Sequence, residues 1–109
     1  MDGLKIQHKR DESGLLSGIK ISGNLVVENA RQLKKEFLDV AVISGKQLNV
    51  EFVDVDDIDV SCIQLIVAFA SQLEKQRVKY RFDWDISTDL KELIENVGLS
   101  EELFINIYE

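Results

Sequence analysis

The chain has 109 residues, 45% hydrophobic and 30% charged, the balance of one soluble globular domain that buries its own core without disulfides or metals. Its 13 basic residues face 20 acidic ones, and a net charge of −7 argues against nucleic acid or an anionic membrane as a direct partner, both being polyanions. One cysteine, Cys62, and one histidine, His8, exclude an intrachain disulfide, a cysteine-based zinc knuckle and a histidine cluster.

The first twelve residues carry no apolar stretch of signal-peptide length, and the longest apolar run, residues 65–70, is too short to span a bilayer. The expectation is a cytoplasmic protein with no membrane insertion. Residues 4–8 alternate apolar and polar, the period of a strand. Asp11, Glu12, Ser13 and Gly14 read as a turn, and Leu15, Leu16, Ile19 and Ile21 as a second strand with a bulge at Gly18, which together predict a hairpin. From residue 26 to 42, Val26, Ala30, Leu33, Phe37 and Ala41 recur at helical spacing, with Val27, Leu38 and Val42 widening the stripe. Ser44 and Gly45 supply the stop. The apolar run 48–53 predicts a short, buried central strand, and a helix follows from Ser61 to about Gln76. Residues 78–82 read as another strand, followed by Trp84, a packing residue by default. Ser87 or Thr88 can cap a helix carrying Leu90, Leu93, Ile94 and Val97, closed by Gly98. A turn at 100–102 and a last strand at 104–108 complete the order β β α β α β α β. The chain reads as a single α/β domain over 1–109, with a mixed sheet and helices packed on it.

Chemistry concentrates in residues 50–74, where a strand runs into an acidic loop and then into a long apolar helix with Ser61 at its mouth. Ser61 with Gln64 three residues on is a capping box. A hydroxyl at that position can instead carry a phosphate, which a helix N-terminus favours. The helix behind it holds Ile63, Leu65, Ile66, Val67, Phe69 and Leu73, more apolar surface than one sheet face uses, so part of it is expected to serve a partner. Phosphate at its rim would bring about −1.5 to −2 charges to that contact.

Other chemistries fit less well. Cys62 at a helix N-terminus suggests a thiol nucleophile, but His8 is the one histidine available as a base, so no catalytic residues are assigned and no enzyme is expected. The loop acids Asp54, Asp56, Asp57 and Asp59 lack the glycine and the twelfth-position glutamate of a calcium loop, and they fall at mid-chain, unlike a phosphoacceptor after a first strand. They read as a solvated acidic loop that complements a basic partner. With no glycine-rich phosphate loop and no metal set, no cofactor is expected. An edge strand, first or last, could support a homodimer.

The ordered segments resemble the STAS domain family, and most closely its bacterial anti-sigma-factor antagonists. The likeness rests on Ile21 to Leu25 with Ala30 and Leu33, on Asn49 to Phe52 leading to Asp59, Val60, Ser61, Cys62 and Ile63, and on Leu90 to Leu93 with Val97 to Leu99. Ser61 falls at the position of the family's phosphorylated serine. The chain departs from the pattern at Val26, Val60 and Cys62, the last standing where a glycine is usual. The resemblance implies a non-catalytic switch in transcription control. The unphosphorylated form would bind an anti-sigma factor that is also the serine kinase, and a phosphatase would reset it. The docking face would comprise Asp54, Asp56, Asp57, Asp59, Val60, Cys62, Ile63, Leu65, Ile66 and Phe69. Two other uses of the fold stay open: a chemotaxis-type signalling cluster, or a constitutive docking subunit of a transporter ATPase, with Ser61 only a helix cap.

Overall fold

The computed structural model describes residues 3–96. Strands β1 (Lys5–Arg10) and β2 (Leu16–Ser22) form the expected antiparallel hairpin. Asp11 closes it, its Oδ1 accepting from Ser13 N at 2.9 Å, Ser13 Oγ at 2.7 Å and Leu15 N at 3.1 Å. Gly14 follows at φ 86°, where an L side chain would be strained. The register slips beside Gly18, and a Cβ there would lie 3.3 Å from the Asn49 carbonyl oxygen of the neighbouring strand.

A 3-10 turn (Val27–Asn29) leads into α1 (Ala30–Ile43), followed by β3 (Ser44–Val55), α2 (Val60–Lys75), β4 (Lys79–Ile86) and α3 (Thr88–Asn96). The sheet order is β1-β2-β3-β4, with β2, β3 and β4 parallel and β1 antiparallel. Parallel neighbours need a crossover, and α1 and α2 provide it. Ser87, rather than Thr88, caps α3, its Oγ accepting from Leu90 N at 3.2 Å.

The core is one apolar layer between the sheet and the helices. Ile19 and Ile21 of β2, Val50 and Phe52 of β3, and Phe82 and Trp84 of β4 meet Leu33, Phe37 and Val40 of α1 and a run of six buried residues on α2. Phe37 and Phe69 stack at 4.1 Å with their planes 2° apart, which locks α1 to α2. Phe52 and Trp84 stack at 4.2 Å across β3 and β4.

Three expectations are corrected. β3 is longer than the short buried run expected over 48–53, and it is buried on alternate residues. It leaves α1 directly at Ser44, and Leu48, Val50 and Phe52 are buried while Asn49, Glu51 and Val53 stay partly exposed. The first helix starts as a 3-10 turn and reaches the α form only at Ala30. Val27, Leu38 and Val42 do not join its core stripe. They are 61%, 61% and 81% exposed, because the buried stripe of α1 runs through Leu33, Phe37 and Val40, with Ala30 and Ala41 packed at its margin. The expected helix stop at Val97 and Gly98, the turn at 100–102 and the strand at 104–108 lie outside the described residues.

Candidate partner-binding site

The β2–α1 and β3–α2 connections leave the same end of the parallel strands. They are stitched together through the backbone. Leu25 N donates to the Asp57 carbonyl at 3.0 Å, Asp59 N donates to the Leu25 carbonyl at 2.9 Å, and Leu25 and Ile58 pair as an isolated parallel bridge. Asn24 Oδ1 accepts from Asp56 N at 2.8 Å and Asp57 N at 3.2 Å. The buried Asn29 donates through Nδ2 to the Asn24 carbonyl at 2.8 Å. The acidic loop is therefore a braced segment. Asp54 enters it at φ 53°, where the β3–β4 register shifts.

Asp59 stands at the centre of this corner and caps α2. Its Oδ1 accepts from Ser61 N at 3.1 Å, Cys62 N at 3.3 Å and Ser61 Oγ at 2.5 Å. Its Oδ2 accepts from Val27 N at 2.6 Å. One carboxylate thus satisfies backbone donors at the mouths of two helical segments, groups that would otherwise lack intrahelical partners. The hydroxyl of Ser61 and, against the cost of partial burial, these backbone N–H groups hold the Asp59 carboxyl below its ordinary value of 3.8.

Ser61 is accordingly not the cap and forms no capping box with Gln64. It sits one residue inside the first turn, half-buried, with its hydroxyl proton directed to Asp59. Asp59 has the extended backbone that a cap requires, with φ −119° and ψ 169°.

The other residues of the expected face divide by burial. Asp54, Asp56 and Asp57 are exposed, Val60 is 51% exposed, and Asp59, Ser61 and Leu65 are half-buried. Cys62, Ile63, Ile66 and Phe69 are in the core, so they do not join the exposed part of the expected face. The long apolar helix is used inward, against both the sheet and α1. Burial, and then the Asp59 charge, push the Cys62 thiol up to about 11, only partly offset by the Ser61 hydrogen bond. Its Sγ–H donates to the Val26 carbonyl at 3.4 Å. A thiol so placed is a poor nucleophile.

Sequence reasoning missed Val27, Asn24 and Asn29. Val27 is exposed, and its N–H donates to Asp59, the residue before the exposed Val60. The available signal was the pair Val26-Val27, since adjacent residues at a helix start cannot both face inward. His8 is exposed on β1, as expected of a strand residue, and its Nε2 pairs with Glu36 Oε1 on α1. Among the described residues, no three His, Cys, Asp or Glu side chains converge to hold a metal, and no helix is long and apolar enough to cross a membrane.

The family model of the STAS domain matches residues 9–109. Among solved structures, the Bacillus cell fate determinant SpoIIAA in its phosphorylated form is similar, with a TM-score of 0.63 at 13% identity, covering 91% of this chain and 86% of that one. The anti-sigma factor antagonist SpoIIAA in its unphosphorylated form gives a TM-score of 0.61 at 14% identity, covering 94% of each chain. At these identities the likeness is one of fold. No curated protein matches the chain.

Proposed function

Because this chain belongs to the STAS domain family, we propose that it is a non-catalytic regulatory interaction domain of the anti-sigma-factor-antagonist kind, switched by phosphorylation at Ser61. The partner in this reading is a protein serine kinase that doubles as an anti-sigma factor, with a separate phosphatase for reset. The face is the corner built by Asp54, Asp56, Asp57, Val60, Ser61 and Leu65, with Val27 added. The observation that carries the reading is the 2.5 Å bond from the Ser61 hydroxyl to Asp59.

That bond gives the switch a physical mechanism. A phosphate on Ser61 replaces a proton donor with about −1.5 to −2 charges beside a carboxylate. The two anions then compete for the N–H groups of Ser61 and Cys62, which Asp59 holds now. Asp59 is repelled, and its second bond, to Val27 N, is disturbed with it. One modification therefore alters charge and shape on both sides of the corner. SpoIIAA, which shares this fold and has phosphorylated and unphosphorylated forms, lends the reading support by analogy.

A second reading follows from the same bond: Ser61 only buttresses the helix cap, in a STAS protein of a chemotaxis-type signalling cluster or in a constitutive docking subunit of a transporter ATPase. The two separate by phosphopeptide mass analysis of the protein from its native host and by partner binding of two variants. Under the switch, phosphate maps to Ser61, Ser61→Asp folds and binds its partner at least about tenfold more weakly, and Ser61→Ala binds but resists regulation. Full binding by a well-folded Ser61→Asp, with no phosphate in any growth condition, selects the constitutive subunit.

A further inference from the structure

On the outer side of α1 and α2 lies an open groove of about 440 Å³. The stacked rings of Phe37 and Phe69 form its floor, and Leu38, Val42, Leu65 and Ala68 its walls. Leu38 and Val42 are among the most exposed large apolar residues of the protein, and both lie in this one place.

The charge around the groove is opposite to that of the chain. Lys34 is the one charged residue that lines it. Arg31, Lys34 and Lys35 share the outer side of α1 with Leu38 and Val42, at i, i+3, i+4, i+7 and i+11. None of the three has an ion-pair partner among the described residues. Arg31, Lys35 and Asp39, the last four residues from Lys35, stand beside the lining rather than in it, and Glu36 is engaged by His8. A chain of net charge −7 thus has an apolar trough whose lining carries one cation, Lys34, and no anion.

We propose that this groove docks an acidic amphipathic helix of a partner protein, apolar row inward and carboxylates toward Arg31, Lys34 and Lys35. Eight residues separate Lys34 from Val42, about 12 Å of helix axis, which suits two to three turns of a partner helix. A second copy of this chain is the less fitting occupant, because two molecules of charge −7 repel one another on approach. The groove meets the Ser61 face at Leu65, while its cation Lys34 and its exposed Leu38 and Val42 stand on α1.

The test is a fluorescence-anisotropy titration of the full chain with a labelled amphipathic helical peptide bearing a leucine row and glutamates at its first turns, beside a twin carrying lysines for the glutamates. Sedimentation of the free chain runs alongside. Expected are about tenfold tighter binding of the acidic peptide, a reversed preference in the Lys34→Glu/Lys35→Glu double variant, and loss of both peptides in Leu38→Glu. Ser61→Asp should leave this binding unchanged, so failure here and failure of the switch read separately. Circular dichroism melts confirm that the variants fold, as their exposed positions lead one to expect. Indifference to peptide charge, or binding that survives Leu38→Glu, would overturn the proposal. A dimer of the free chain that Leu38→Glu dissociates would also overturn it, by giving the groove to a second copy.

Discussion

Asp59 shows how much one side chain can hold. Its Oδ1 serves α2 and its Oδ2 serves the entry to α1. Asp59→Ala should cost about 1–2 kcal/mol, more than an ordinary surface change, because it strips donors at two helical mouths at once. Urea unfolding at neutral pH measures this. The acid limb carries a second expectation. The folded pKa of Asp59 lies below the unfolded value of 3.8, so the unfolded state takes up its proton first as pH falls. The stabilisation is complete above that value and is lost as pH falls through the folded pKa. Asp59→Asn still caps but does not titrate, so its stability deficit relative to the parent should shrink on acidification below about pH 4. A deficit constant with pH would show that the charge contributes nothing. Cys62, with its thiol pushed up to about 11, should resist a disulfide reagent at pH 8 in the folded protein and react on unfolding.

At the scale of elements, α1 separates packing from surface. Phe69→Ala removes the ring stacked on Phe37 and should cost about 3–5 kcal/mol, whereas Val42→Asp, one turn along the same groove, should stay within about 0.5 kcal/mol. Thermal melts of the two decide whether the groove is structural. The same contrast explains what the sequence could tell. Strand and helix periods, the Asp11 turn and the bulge at Gly18 were legible because each is set by residues near in sequence. Which of Val26 and Val27 turns inward depends on how α1 meets the sheet, and no local period records it. The cap was misassigned for a related reason. Ser61 with Gln64 satisfies the capping-box spacing, while Asp59 does not, yet Asp59 has the extended backbone and a second bond to Val27, 32 residues away. A contact over that distance leaves no trace in spacing. The burial of Cys62, Ile63, Ile66 and Phe69, four residues of the expected face, came from α1 closing over α2, which no local spacing records.

The whole molecule is polarised. The parallel strands end, at β3 and β4, beside Asp54, Asp56, Asp57 and Asp85, and they begin near Lys46, Arg77 and Lys79. A partner that docks at the acidic end should associate faster at low ionic strength and slow as salt rises over tenths of molar, since exposed charges are screened beyond about 8 Å at physiological salt. Stopped-flow association across a salt series measures it; a rate flat with salt would move docking away from the acidic corner.

The one-sided sheet has a consequence for motion. Its helices cover a single apolar layer, and β3 shows a partly wet, polar row on its other face. Among the described residues, no second apolar layer lies beneath the first to keep part of the core dry if α1 or α2 lifts away. Partial opening should then be scarcely populated, and amide protons in the inner strands β2 and β3 should exchange with deuterium only when the entire domain opens. Their exchange free energies should fall on one common value, equal to the stability measured by denaturant. The hairpin partner β1, at the sheet's edge, should release its protons earlier.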